Sequence, residues 1–415
     1  MIQKLNIVLI TLTINFCFSQ NRTCGADYYM TKMLVNPVER KKHEDLQKRF
    51  DFESYIIQNN KNQLAIFANT IYVPVAIHFP EVSPSSPLKV CLRALAQSQI
   101  NILNADYNAT NADLATWTGG DSAFYPEVSF AGLNVQFVIA TKNHPVSSGL
   151  SNGDLAITFG SGFTAGDSDN NWAGYINLVC KDAGVDTLGY SPVGGQPSDG
   201  ATVVIDSQAF GTGNGCSGYV PKAPYNLGRT LTHELGHFFN LRHTFVGCST
   251  TANCTAAGDR VCDTPPSNAA VYGCPTAGNN IKCGVTTLTM NYMDYTNDAC
   301  MYMFTAGQVN RMRAYYNTIS SQLSTNVLST NEFLVNNFSI FPSPNNGSFT
   351  IQLKEQLDNY EVEVFDGVGR LVFDNKLLNS LDLQQNITLE NAQAGIYYVS
   401  IKSNAAVFTK KIIVQ

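Results

Sequence analysis

His233-Glu234-Leu235-Gly236-His237-Phe238-Phe239-Asn240-Leu241-Arg242-His243 gathers three of the chain's six histidines around one glutamate. In an α-helix each residue turns the chain by about 100°, so His233 and His237 project from one face and can share a metal ion, with Glu234 beside them. His243 lies six residues past His237. On a continuing helix it would point about 240° round and sit roughly 9 Å further along, so the chain must break first. Asn240 is the expected break, because Asn enters the left-handed region at modest cost. A formed but slightly strained turn is expected there. Three imidazoles leave one position of a tetrahedral zinc open, and Glu234, too close in sequence to ligate with its neighbours, is the candidate base. Histidines on an amphipathic helix are also ordinary core residues; the third one in register argues against that reading. His43, His78 and His144 have no ligand partners at useful spacing and read as surface or packing residues.

The spacing H-E-x-x-H-x-x-G-x-x-H is that of the metzincin metallopeptidases, which this stretch resembles, with Asn240 where those enzymes carry Gly. Asn291-Tyr292-Met293-Asp294-Tyr295 resembles their methionine-containing turn. The resemblance makes Met293 the floor of the metal site and Tyr295 the hydroxyl that meets the tetrahedral intermediate. Three further segments resemble the pappalysin family and its ulilysin-like members: His243-Thr244-Phe245, Gly258-Asp259-Arg260-Val261-Cys262-Asp263-Thr264-Pro265 and Asp298-Ala299-Cys300-Met301-Tyr302-Met303-Phe304-Thr305. The motifs span 233–304, and the likeness extends more loosely over 66–322. It implies an α+β metzincin fold: a twisted mixed sheet with the active-site helix, and an irregular, disulfide-rich lower subdomain. It implies a zinc-dependent endopeptidase with one catalytic Zn2+ and Glu234 as general base and acid. It also places a calcium near Asp259, Asp263 and Thr264, although these residues equally suit a Pro-terminated turn. Family resemblance pairs Cys248 with Cys283 and Cys274 with Cys300. Ulilysin-like relatives favour basic side chains after the scissile bond, for which Asp294 and Asp298 are the candidate pocket acids.

Residues 1–19 carry an early lysine, Lys4, an apolar run from Leu5 to Phe18 and a small residue before Gln20, which suits a secretory signal peptide. Ten of the eleven cysteines lie beyond it, six of them within 248–300, as expected of a chain that folds where cysteines can pair. By elimination, Cys254 pairs with Cys262 and Cys180 with Cys216. No C-x-x-C spacing supports a zinc ribbon. Cys24, in Arg22-Thr23-Cys24-Gly25, can place a thiolate in zinc's open position and so exclude the water that hydrolysis needs. This segment also resembles the cysteine switches of latent metzincins. A disulfide to Cys91, or a free thiol, is the competing reading. Residues 38–53 are the most charged part of the chain and read as a solvated pro-segment helix open to cleavage.

Ile71–Phe79 reads as a first strand and Leu88–Tyr107 as a helix packed on a sheet. Val128–Ala140, Tyr175–Val179 and Thr202–Asp206 read as further strands, and Thr305–Leu323 as a closing helix. After residue 323 the composition turns to Ser, Thr and Asn. From Phe338 onward, alternating strands at Tyr360–Phe365, Leu371–Phe373, Gly395–Ile401 and Lys410–Gln415 read as a small all-β sandwich. This region resembles the C-terminal sorting domain of proteins exported by the type IX secretion system; a carbohydrate- or surface-binding sandwich is the alternative. The expected order is signal peptide 1–19, pro-segment 20–65, catalytic domain 66–322, linker 323–337 and sandwich 338–415.

Charged residues make up 14% and the net charge is −6, which argues against a nucleic-acid partner. No segment beyond the leader suits a membrane span. The expected protein is a monomer secreted to the extracellular space or cell surface, with protein or peptide substrates and the secretion machinery as partners. Two rivals remain: a surface adhesin-like scaffold with structural zinc, and a zinc hydrolase of non-peptide substrates.

Overall fold

The computed structural model describes residues 22–59, 70–164, 166–250, 252–328, 338–353, 359–378, 384–390, 392–403 and 406–415. The expected signal peptide lies outside these residues, as does most of the 323–337 linker. Two helices come first, α1 (Ala26–Val35) and α2 (Pro37–Asn59). Proline disfavours helical geometry in the residue before it, so the break falls at Asn36, which is extended and whose side chain accepts from Val38 N at 2.9 Å. The expectation of a solvated helix holds for one face of α2 only. Its charged residues point outward, while Leu46, Phe50 and Ile57 are buried in the same core as the sheet.

β1 (Ile71–Phe79) is the central strand, followed by α3 (Lys89–Tyr107) and a short α4 (Ala115–Gly119). The other strands are β2 (Val135–Ile139), β3 (Ile157–Phe159), β4 (Ile176–Cys180), β5 (Gly189–Tyr190) and β6 (Thr202–Ile205). Their order is β2-β1-β4-β6-β5, with β3 also paired to β1. β2, β3 and β4 run parallel to β1, and β6 parallel to β4; only β5, at the edge, is antiparallel. β4 and β6 are buried along their whole length, as parallel strands covered on both faces must be. The strand expected over Val128–Ala140 is shortened to β2. Ahead of it the chain leaves the sheet: Phe130 is bridged to Thr305, and Asn134 takes a positive φ of 53°.

The expected Cys180–Cys216 bond is not made. Cys216 joins Cys91 of α3, with Cα atoms 6.0 Å apart, and Cys180 is a free thiol sealed in the core at the end of β4. Cys91 is therefore not a partner for Cys24 either. The chain from 244 to 304 has one two-residue hairpin, β7 (Ile281–Lys282) with β8 (Val285–Thr286), and three disulfides: Cys248–Cys283, Cys254–Cys262 and Cys274–Cys300. A second small core of Leu114, Trp117, Tyr125, Leu288, Met290, Tyr302 and Met303 supports it. α6 (Ala306–Ile319) starts on a capping box in which Thr305 and Gln308 satisfy each other's backbone N–H groups.

The C-terminal part is all antiparallel. β9 (Phe338–Phe341), β10 (Ser348–Leu353) and β13 (Gln384–Thr388) form one sheet. β11 (Asn359–Asp366), β12 (Leu371–Leu378), β14 (Gly395–Ser403) and β15 (Ala406–Val414) form the other. Ile351 and Phe349 from the first meet Val362, Val399 and Ile401 from the second in one core, which makes a sandwich. Among the described residues no helix is long and apolar enough to cross a membrane.

Candidate metal centre

α5 (Arg229–Phe238) carries the first two histidines, and every one of its residues is buried. A helix so enclosed needs its polar groups matched. Arg229 lies 2.9 Å from Asp106 through Nε and 2.8 Å from Asp113 through Nη1, which also donates to the Met301 carbonyl. Thr232 donates to Asp106 at 2.7 Å, and Tyr107 donates to the Thr232 carbonyl. The helix is thereby fixed against α3 in rotation and in register.

It ends at the expected break. Asn240 has φ 68°, its N–H donates to His237 O and the Leu241 N–H donates to Gly236 O. These two bonds, with a left-handed residue between them, are the Schellman arrangement that satisfies the last carbonyls of a helix. The turn brings His243 back. Its Nε2 lies 3.3 Å from Nε2 of His233 and 3.1 Å from that of His237.

The outer nitrogens fix the tautomers. His233 Nδ1 donates to the Tyr292 carbonyl at 2.7 Å, and His237 Nδ1 to Leu241 O at 2.9 Å. Burial holds both rings neutral, His237 at about 3 and His233 well below its ordinary value. Their inner nitrogens are then lone pairs aimed at one point, and so many acceptors at this separation repel unless a cation sits among them. Nitrogens about 2.0–2.1 Å from a tetrahedral zinc stand roughly 3.3 Å apart, which the spacing fits. The ligating atoms of Cys24, His233, His237 and His243 lie within 4.8 Å of one another. Cys24 Sγ is also 3.3 Å from Oε2 of Glu234. Burial raises the carboxyl of Glu234 to about 8, and burial with the Glu234 charge raises the Cys24 thiol.

The methionine turn lies beneath. Met293 is fully buried, and a Cβ added at Gly236 would stand 2.6 Å from its sulfur. Gly236 was not singled out in the sequence, yet only a missing side chain lets the turn approach the helix this closely. The Tyr295 ring lies tilted against His233 and edge-on to His243, and its hydroxyl accepts from the Cys24 N–H at 3.3 Å. The leader fills the cleft. Thr23 O accepts from Leu188 N, just before β5, and the Gly25 N–H donates to Gly189 O of β5, with Cys24 paired in parallel to Gly189. A Cβ at Gly189 would stand 3.0 Å from Glu234. Arg22 is buried over the Tyr225 ring and its guanidinium donates to Asp298, whose other oxygen accepts from the N–H groups of Leu227 and Arg229. Asp27 of α1 sits 3.6 Å from Nδ1 of His243. No pattern in the sequence marks Asp27, whose place depends on how the leader docks.

Other residues singled out in the sequence go elsewhere. Asp259 accepts from Thr264 Oγ1 and Val261 N, and Asp263 from Thr305 Oγ1 and Gly307 N at the start of α6. Asp294 accepts from the N–H groups of Val271 and Tyr295, and Arg22 bonds to Asp298 instead of to it. His78 is buried between Thr158 and Asn177, His144 is hydrogen-bonded to the Asp154 carbonyl, and His43 lies on α2.

Residues 175–317 match the Peptidase M43 family, described as pregnancy-associated plasma protein-A, and 339–415 match the secretion system C-terminal sorting domain. Residues 175–317 are thus similar to the pappalysin-type peptidases. It is 41% identical to extracellular metalloprotease 1 of Coccidioides posadasii over 118 residues, 28% of this chain and 38% of that protein. It is 31% identical to an extracellular metalloprotease of Neurospora crassa over 207 residues, 47% of this chain and 65% of that one. The chain thus spans less than two thirds of the length of these curated relatives. A mutant of promirolysin from Tannerella forsythia superposes with a TM-score of 0.52 at 28% identity, covering 72% of this chain and 94% of the other. The chain thus shares its fold with promirolysin over most of its length, and the all-β sandwich at its end is similar to the sorting-domain family.

Proposed function

We propose that this protein is a secreted zinc endopeptidase made as a latent precursor, acting as a monomer on extracellular polypeptides. The observation that carries the reading is the convergence of three imidazole nitrogens and the Cys24 sulfur on one point, with the Glu234 carboxyl against that sulfur. The extracellular metalloproteases among its relatives and the sorting domain support export.

His233, His237 and His243 would hold the metal, and His233 and His237 are kept in orientation by the carbonyls behind them. Zinc there supplies a Lewis acid that polarises the scissile carbonyl and lowers the pKa of a water to about 7. Glu234 takes that water's proton and returns it to the leaving amine. Tyr295 donates to the oxyanion as it develops. Cys24 keeps the water out while the leader is in place, and Met293 floors the site. Asp298 accepts a basic side chain at the residue after the scissile bond, in the pocket that Arg22 fills in the precursor. Calcium near Asp259, Asp263 and Thr264 rests on the family resemblance.

The test expresses the full chain in an oxidising compartment as wild type and as Glu234→Ala, and follows the leader by mass spectrometry. Loss of the leader and cutting of an added protein by the wild type alone is the expected outcome. If both stay intact with zinc bound, and stay inert after another protease removes the leader, the peptidase reading falls.

A further inference from the structure

Asn240 stands where the metzincin pattern has glycine, and its side chain is not idle. Gln47 of α2 donates from Nε2 to Asn240 Oδ1 at 3.3 Å, and Asn240 Nδ2 donates back to Gln47 Oε1 at 3.2 Å. A glycine at 240 would make the same left-handed turn and neither bond.

α2 reaches this residue by a second route. Arg311 of α6 donates from Nε to the Asn240 carbonyl at 2.8 Å, and its guanidinium lies 4.6 Å from the centre of the Phe50 ring of α2. Phe50 is 2% exposed and tilts against Tyr315, one turn further along α6, with ring centres 6.0 Å apart. Leu46 and Ile57 are buried on the same face of α2. None of these contacts involves Arg22 or Cys24, which hold the other end of the leader in the cleft. A cavity of about 680 Å³ beside the Gln47–Asn240 pair is bordered also by Asp27, His43, His237 and His243. The two anchorages share no residue.

We propose that the surface made by α6 and the Asn240 turn is a docking site for α2 that keeps the leader on the enzyme by itself after the chain between α2 and β1 has been cut. Asn240 is the residue that selects the occupant, through the amide pair with Gln47. Activation then takes two events, a cut and a release, and the first leaves a noncovalent complex. This rests on the reading of residues 20–65 as a pro-segment. It assigns Asn240 a role that the glycine of the family pattern cannot fill.

The test uses the full chain carrying Glu234→Ala, to prevent self-cutting, and a recognition site for an added sequence-specific protease inserted between Asn59 and Thr70. After the cut, size-exclusion chromatography and mass spectrometry ask whether the excised segment stays with the enzyme. It is expected to stay even when Arg22→Ala and Cys24→Ser remove the side-chain bonds to Asp298 and Glu234 and leave only the backbone bonds of Thr23 and Gly25 and the Asp27 contact in the cleft. In that background Gln47→Ala and Asn240→Gly should each speed its dissociation by about tenfold, the effect of two neutral hydrogen bonds. Together they should do no more than either alone, because each removes the same pair. Asn240→Gly restores the family residue, and melting of the uncut chains checks that both variants fold. Release of the segment from the Arg22→Ala/Cys24→Ser chain with α2 intact overturns the proposal. So does a dissociation rate that neither Gln47→Ala nor Asn240→Gly changes. Retention is read rather than hydrolysis, so this result and the peptidase reading stand or fall separately.

Discussion

The sheet side of the metal centre and the loop side are built by different means. On the sheet side, β1 to β6 with α3 and α5 bury nearly every apolar residue and match their backbone groups strand to strand. On the loop side, 244–304 has almost no regular structure, and order comes from three disulfides and from carboxylates that bind nearby N–H groups. The sheet side presents His233 and His237, and the loop side presents the turn beneath them. Position on the first is set by packing. On the second a small core is supplemented by covalent and local polar ties, which respond to reductant and to pH.

The largest effect should come from emptying the sheet-side core. Phe137 is 1% exposed with its ring 5.1 Å from that of Tyr107. Phe137→Ala is expected to cost about 4 kcal/mol in urea unfolding. The same variant should leave the response to reductant unchanged, and a changed response would show that the two sides are not independent. Cys274→Ser with Cys300→Ser, which opens the bond across 26 residues, should cost roughly 3 kcal/mol. Hydrogen exchange should localise that loss to the loop side; loss of protection in β1 or β4 would break the comparison.

Next comes pH. Burial raises the Asp294 carboxyl from 3.8 to about 7 against two backbone donors. The folded form holds a proton that the unfolded form has lost, so this contribution is complete below about pH 4 and disappears as pH rises towards 7. Asp294→Asn should flatten that slope, worth on the order of 2 kcal/mol, in melts between pH 4 and 8. A slope unaltered by the substitution sinks the assignment. The smallest effect is expected where the two sides touch. Gly236→Ala gains helix propensity but presses on Met293, for a net loss of about 1 kcal/mol. Its signature is faster zinc loss to a chelator. Unaltered zinc loss would mean that the methionine turn moves aside freely.

What could be read in advance follows the same division. The cluster of three histidines and the break at Asn240 are legible because a helix has a fixed period and a third histidine at the wrong phase demands a turn. β1, α3 and α6 are legible from their apolar patterns. Cys180–Cys216 misled because pairing by elimination ignores where α3 lies. Cys91 is 125 residues from Cys216 in sequence, and nothing local marks them as neighbours. β3 and β5 are too short to carry a pattern. The buried face of α2 was hidden because Leu46, Phe50 and Ile57 are thinly spread among many charges. Gln47 and Asp27 became visible only with the leader in place, since each acts on a residue about two hundred positions away.

Among the described residues two thiols are left free, and they differ in what they report. Cys180 is sealed behind β4 in every state that keeps the sheet intact, so it is silent to a thiol-reactive dye until the fold is lost. Cys24 is shielded by three imidazoles and a carboxyl only while the leader lies in the cleft. The molecule thus carries its own gauge. Counted over the described residues, no label is expected under native conditions with the leader in the cleft, one once the cleft is vacated, and two in the unfolded chain.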